Sequence, residues 1–149
     1  MKSVAAHFFI SVGVAFLLSK LQTAIGSVYI IEFLSENLIT ILIALMAING
    51  TTLGIVLTKV REITDRVGSK EAFTNSKKEM LFMVYEQISL IAVSLILLSL
   101  HDSSWTSGKL VWLEVFDVMI TGCFVYSMMI LYDTAKSVFV LIDFDDNGG

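Results

Sequence analysis

The sequence has no proline, a single cysteine and few charges: 16% of its 149 residues are Asp, Glu, Lys or Arg, against roughly a quarter in an ordinary soluble domain. With one thiol, Cys123, no disulfide can form within the chain. Without proline the helices are expected to run unbroken, which argues against the kinked and unwound spans on which many transporters build their sites. A net charge of −4, with acids in the loops and at Asp143, Asp145 and Asp146, gives nucleic acid no basic face to grip. The polar segments between apolar stretches run to about twenty residues, too short for a separate folded domain.

What the sequence does have is apolar surface: 56% of its residues are hydrophobic. Four stretches approach the roughly 20 residues that cross a bilayer, at 4–21, 36–58, 80–100 and 110–132. The expectation is therefore an all-α polytopic membrane protein, one transmembrane domain over 1–149, with the lipid bilayer as its first partner. Met1-Lys2 before an apolar run also fits a signal peptide, but no small-x-small cleavage site followed by a polar mature chain appears. Six of the ten basic residues, Lys59, Arg61, Arg66, Lys70, Lys77 and Lys78, lie between spans two and three. Short basic loops stay cytoplasmic, so 59–78, both termini and the tail 133–149 are assigned there. Trp105 and Trp112 then fit the outer aromatic belt, Tyr85 and Tyr132 the inner one.

Span two is expected to continue through Thr58–Arg66 and stop near Gly68. Ser76 followed by Glu79 reads as a capping box opening the third helix. The loop becomes a turn between two protruding helices, a docking surface for a cytosolic protein. Val28–Leu34 reads either as the first turns of span two or as a short interfacial helix, because Glu32 interrupts it. The apolar tail Val138–Phe144 is expected to lie on the membrane.

On span two, Asn37, Thr40, Ala44, Ala47, Thr51, Gly54 and Thr58 recur at spacings of three and four, making one continuous face of small or polar residues. Gly50 and Gly54 add a G-x-x-x-G beside it. Such a face serves helix packing, within a subunit or between subunits, or lines a pore in a homo-oligomer with Thr and Asn oxygens toward water and ions. The second constellation is acidic. Glu86 lies inside span three, where a carboxylate must be protonated, hydrated or paired; Lys59 or Arg61 on the neighbouring helix is the expected partner. Glu114 and Asp117 share a face with Thr121 near the outer end of span four, either as acids favoured by a helix N-terminus or as an ion or proton site. His7 and His101 fall at opposite ends of the predicted topology, so no metal site and no cofactor is expected.

No H-E-x-x-H, G-x-S-x-G or Gly-rich phosphate loop is present, and no arginine cluster inside a span holds an anionic cosubstrate, so an enzyme is not expected. Small four-span multidrug exporters carry a Glu in span one, where this chain has His7, Ser11 and Ser19.

The stretch Ser35-Glu36-Asn37-Leu38-Ile39-Thr40-Ile41-Leu42-Ile43-Ala44-Leu45, followed by a basic helix, resembles the second span of RexB-type phage-exclusion proteins. The plan of four spans and a basic central loop is also similar, as it is to the membrane subunit of the Kiwa defence system. The resemblance implies a bacterial inner-membrane component of antiphage defence, an oligomeric ion channel or membrane sensor. RexB-type proteins lack an acidic tail like Asp143 to Asp146. The residues alone leave open two other classes, a non-conducting scaffold that recruits a soluble effector and a small proton-coupled transporter built on Glu86.

Overall fold

The computed structural model describes the backbone of residues 2–67, 70–103 and 110–148 and, within them, the side chains of 5–65, 74–103 and 111–139. The described chain is all helical: α1 (Lys2–Ile25), α2 (Tyr29–Val67), α3 (Lys70–His101) and α4 (Leu110–Gly148). All four are long and apolar enough to cross a membrane, the apolar portions being Ala5–Ile25, Tyr29–Asp65, Thr74–His101 and Val111–Phe139. In hydrocarbon no water can satisfy free backbone groups, so a chain this apolar closes its hydrogen bonds inside helices.

With no proline to interrupt them, α2 and α4 each run 39 residues. Val28–Leu34 is thereby resolved: from Tyr29 onward it is the start of α2. α2 is described to Val67, and Gly68, its expected stop, lies outside the described residues. The expected capping box does not form. α3 already begins at Lys70, so Ser76 and Glu79 lie inside it, where Ser76 has the helical backbone that an N-cap must lack. Nothing between Lys70 and Asn75 breaks a helix, and propensity carries the turn back to the hairpin itself. Through the tail α4 continues without a break to Gly148.

The turn between α1 and α2 is made by three residues, Gly26, Ser27 and Val28. Gly26 has φ 65°, a left-handed conformation that favours glycine. Ser27 N–H donates to Gln22 O at 2.9 Å and Gly26 N–H to Thr23 O at 3.3 Å, the paired bonds of a Schellman cap. Ser27 Oγ then accepts from Tyr29 N–H at 3.3 Å and starts α2.

α4 is the helix against which all the others pack, while α1 rests essentially on α4 alone. The core gathers Leu34, Leu38 and Leu42 of α2, Leu97 of α3, and Phe116, Ile120 and Cys123 of α4. Along α2 the buried column continues as Leu45, Asn49, Leu53 and Val56, at spacings of three and four. α1 meets α4 through small residues: Ser11 and Ala15 are its buried positions, and a Cβ placed on Gly122 of α4 would stand 3.8 Å from that of Ala15.

Candidate functional site

The small face of α2 lies on the side opposite its leucine column. Thr40, Ala44, Ala47, Thr51, Gly54 and Thr58 are all exposed, and Asn37 is half-buried at the end of the row. Packing within the subunit is thus not its role, because the larger leucines a third of a turn or more away fill the space against α3 and α4. A Cβ added at Gly50 or Gly54 would meet nothing within 4 Å. Three polar groups of this face bond to their own helix: Thr51 Oγ1 donates to Ala47 O at 3.0 Å, Thr58 Oγ1 to Gly54 O at 3.0 Å and Asn37 Nδ2 to Phe33 O at 2.9 Å. At these three positions a donor is satisfied without solvent, so the face there tolerates lipid or another helix.

Four acids of the spans, Glu86, Glu114, Asp117 and Asp133, meet a partner across a helix contact made by α4. Near its start Glu114 lies 3.7 Å from Lys20 Nζ of α1. One turn on, Asp117 Oδ1 lies 3.2 Å from His101 Nε2 of α3, close enough for an ion pair when the imidazole is protonated, but not aligned as a hydrogen bond. His101 also approaches Asp102, with Nδ1 3.4 Å from Oδ1. Midway, Tyr126 OH donates to Glu86 Oε1 at 3.0 Å. Toward the other end Asp133 meets His7 Nδ1 of α1 at 3.4 Å.

This ladder corrects the expected partner of Glu86. Lys59 is taken by Glu62 at 3.1 Å and Arg61 by Asp65 at 3.9 Å, both on their own helix. The reason is position: Lys59 and Arg61 are exposed where α2 has passed the core, whereas Glu86 faces α4. Of the remaining basic residues of the hairpin, Lys77 and Lys78 are exposed, and the side chains of Arg66 and Lys70 lie outside the described residues, as do those of Trp105, Asp143, Asp145 and Asp146. Glu114 and Asp117 are the fifth and eighth residues of α4, beyond its first turn, so the helix N-terminus does not account for them. Thr121 beside them is buried. The two histidines occupy opposite ends of the ladder.

Sequence reasoning missed three things here. Tyr126 as the donor to Glu86, and Asp133 and Lys20 as cross-helix partners, carry no local signal, because their mates are distant in the chain. A buried polar set was missed as well: both amide atoms of Asn49, Gln87 Oε1 and Ser94 Oγ have no hydrogen-bond partner among the described residues. Asn49 was readable, since it falls on the α2 leucine spacing between Leu45 and Leu53. Gln87, Ser94 and His101 recur every seven residues on one face of α3, which the eye passes over in so apolar a run.

Comparison of the chain with protein-family models, curated proteins and solved structures finds no match. The site is therefore interpreted from its own chemistry: a satisfied, small-residue ridge on one side, and a line of cross-helix acid pairs on the other three helices' common partner.

Proposed function

We propose that this chain is a self-assembling component of the bacterial inner membrane that senses membrane insult in antiphage defence and passes the signal to a cytosolic protein. The observation that carries the assembly step is the outward ridge of α2, small and polar where neighbouring outward positions such as Ile43, Ile48 and Ile55 are large and apolar. In lipid, helices associate through close backbone approach rather than through hydrophobic burial, and such a ridge permits that approach. A second copy of the same ridge is its natural occupant. Because Thr51 and Thr58 of the ridge donate to their own helix's carbonyls, close helix contact is favoured there over a wet pore wall. α2 and α3 leave the core together as a helical hairpin bearing exposed Lys77 and Lys78, the surface a soluble partner would grip on the cytoplasmic side. A change in ridge packing shifts the splay of this hairpin, which is the transmitted signal. The defence role rests on the resemblance of the second span.

The test is the oligomeric state of the purified protein in lipid nanodiscs, for wild type and for Ala47→Leu/Thr51→Leu, together with plating efficiency of a phage panel on cells expressing each. Expected are an oligomer and reduced plating for wild type, a monomer and normal plating for the variant. A monomeric wild type removes the assembly step, and plating equal to vector control removes the defence role. Discrete single-channel currents from wild type that vanish in the variant would replace the sensor by a channel.

A further inference from the structure

Because α1 rests on α4 and not on α3, a groove of about 380 Å³ opens between α1 and α3, floored by α4. No α2 residue lines it, so it is separate from the assembly ridge. Its lining is apolar apart from a few hydroxyls, a thiol and a single charged residue, Glu86. By helix rise Glu86 stands ~18 Å along α3 from Thr74, deep in the apolar portion. Around it stand Phe8, Phe82 and Tyr85, outward-facing rings exposed by half or more, and Tyr126.

The chemistry of this groove is specific. An ionised carboxylate in hydrocarbon is expensive unless a counter-charge reaches it. Tyr126 supplies one neutral hydrogen bond, to Oε1. None of the lining residues is cationic, and the nearest acid two turns along the same face of α4, Asp133, is already matched by His7. Among the described residues, then, a single imidazole, His7, lies against this pair of carboxylates, and it pairs with Asp133. An acyl chain or an apolar helix filling the groove would leave the carboxylate without a counter-charge, and an anion would be repelled. A cation with apolar substituents meets every feature: charge to Glu86, aromatic rings along the wall that attract cations, and an apolar floor for the rest. The volume falls within the range of small-molecule sites, roughly 300–1,000 Å³.

We propose that the α1–α3 groove is a binding site for a lipophilic organic cation, held by Glu86 and the aromatic wall.

The probe is tetraphenylphosphonium, titrated by equilibrium dialysis against the full chain in nanodiscs, with empty nanodiscs subtracted. Wild type is expected to bind saturably. Glu86→Gln should weaken binding about tenfold or more, as loss of a charge partner in a low-dielectric site does. Ser89→Trp, which fills the groove from α3 without touching the charge, should abolish it, and covers the case in which Glu86→Gln fails to fold. Tyr126→Phe keeps the carboxylate and should retain binding. Tetraphenylborate, the same shape with the opposite charge, should show no saturable binding. The proposal falls if wild type binds no more than empty nanodiscs, if Glu86→Gln or Ser89→Trp binds as wild type does, or if the borate binds equally well, which would make the groove a lipid cleft.

Discussion

α1 and α2 are joined by three residues yet are held in opposite ways. α2 lies against both α3 and α4 through a column of leucines, with Leu34 and Leu38 almost wholly buried. α1 leans on α4 through Ser11 and Ala15 and turns Phe9 and Leu17 outward. The first attachment gains from volume filled, the second from backbones brought close. Both are apolar to the eye, and in a bilayer hydrophobicity alone does not tell a lipid-facing residue from a buried one. The size of the side chain at the contact does. The consequence is a firmly held three-helix body, α2–α3–α4, with a fourth helix that borders a groove.

Substitutions at the two contacts measure this difference. Leu38→Ala should cost the most, about 2–5 kcal/mol in equilibrium unfolding from micelles followed by helical circular dichroism, because it leaves a cavity in the column. Gly122→Leu should cost less, about 1–3 kcal/mol, since α1 is wedged away from Ala15 without a cavity being made in the body. Lys20→Ala should change stability by no more than about 0.5 kcal/mol, because its pair with Glu114 is 3.7 Å long and more than half exposed on both sides. A larger cost for Gly122→Leu than for Leu38→Ala would reverse the comparison and make α1 an integral wall of the body.

The architecture was largely legible because its causes are local. Long apolar runs and the absence of proline account for the four unbroken helices. The capping motif at Ser76 misled because a sequence pattern acts as a cap only where the backbone leaves the helix, and nothing upstream forces it to. The small face of α2 was visible as a pattern, but its direction was not: a stripe at helical spacing can face a neighbour in the chain, another copy or lipid, and only the packing of Leu34, Leu38 and Leu42 on the far side decides. Glu86 was recognisable as a carboxylate in need of a partner. Its donor, Tyr126, was not, since the pairing depends on the register between α3 and α4, and register in so uniform a sequence leaves no trace in either strip alone.

The Gly26-Ser27 turn fixes both neighbours at once, closing α1 with two backbone bonds and opening α2 with a side chain. It thus acts as a fulcrum. Any tilt of α1 across α4 is smallest beside Lys20 and grows along the lever arm toward its far end, where His7 latches onto Asp133. The His7–Asp133 contact, one turn or less from Phe8, thus holds the end of α1 farthest from the turn and, with Ser11 and Ala15, sets the width of the groove there.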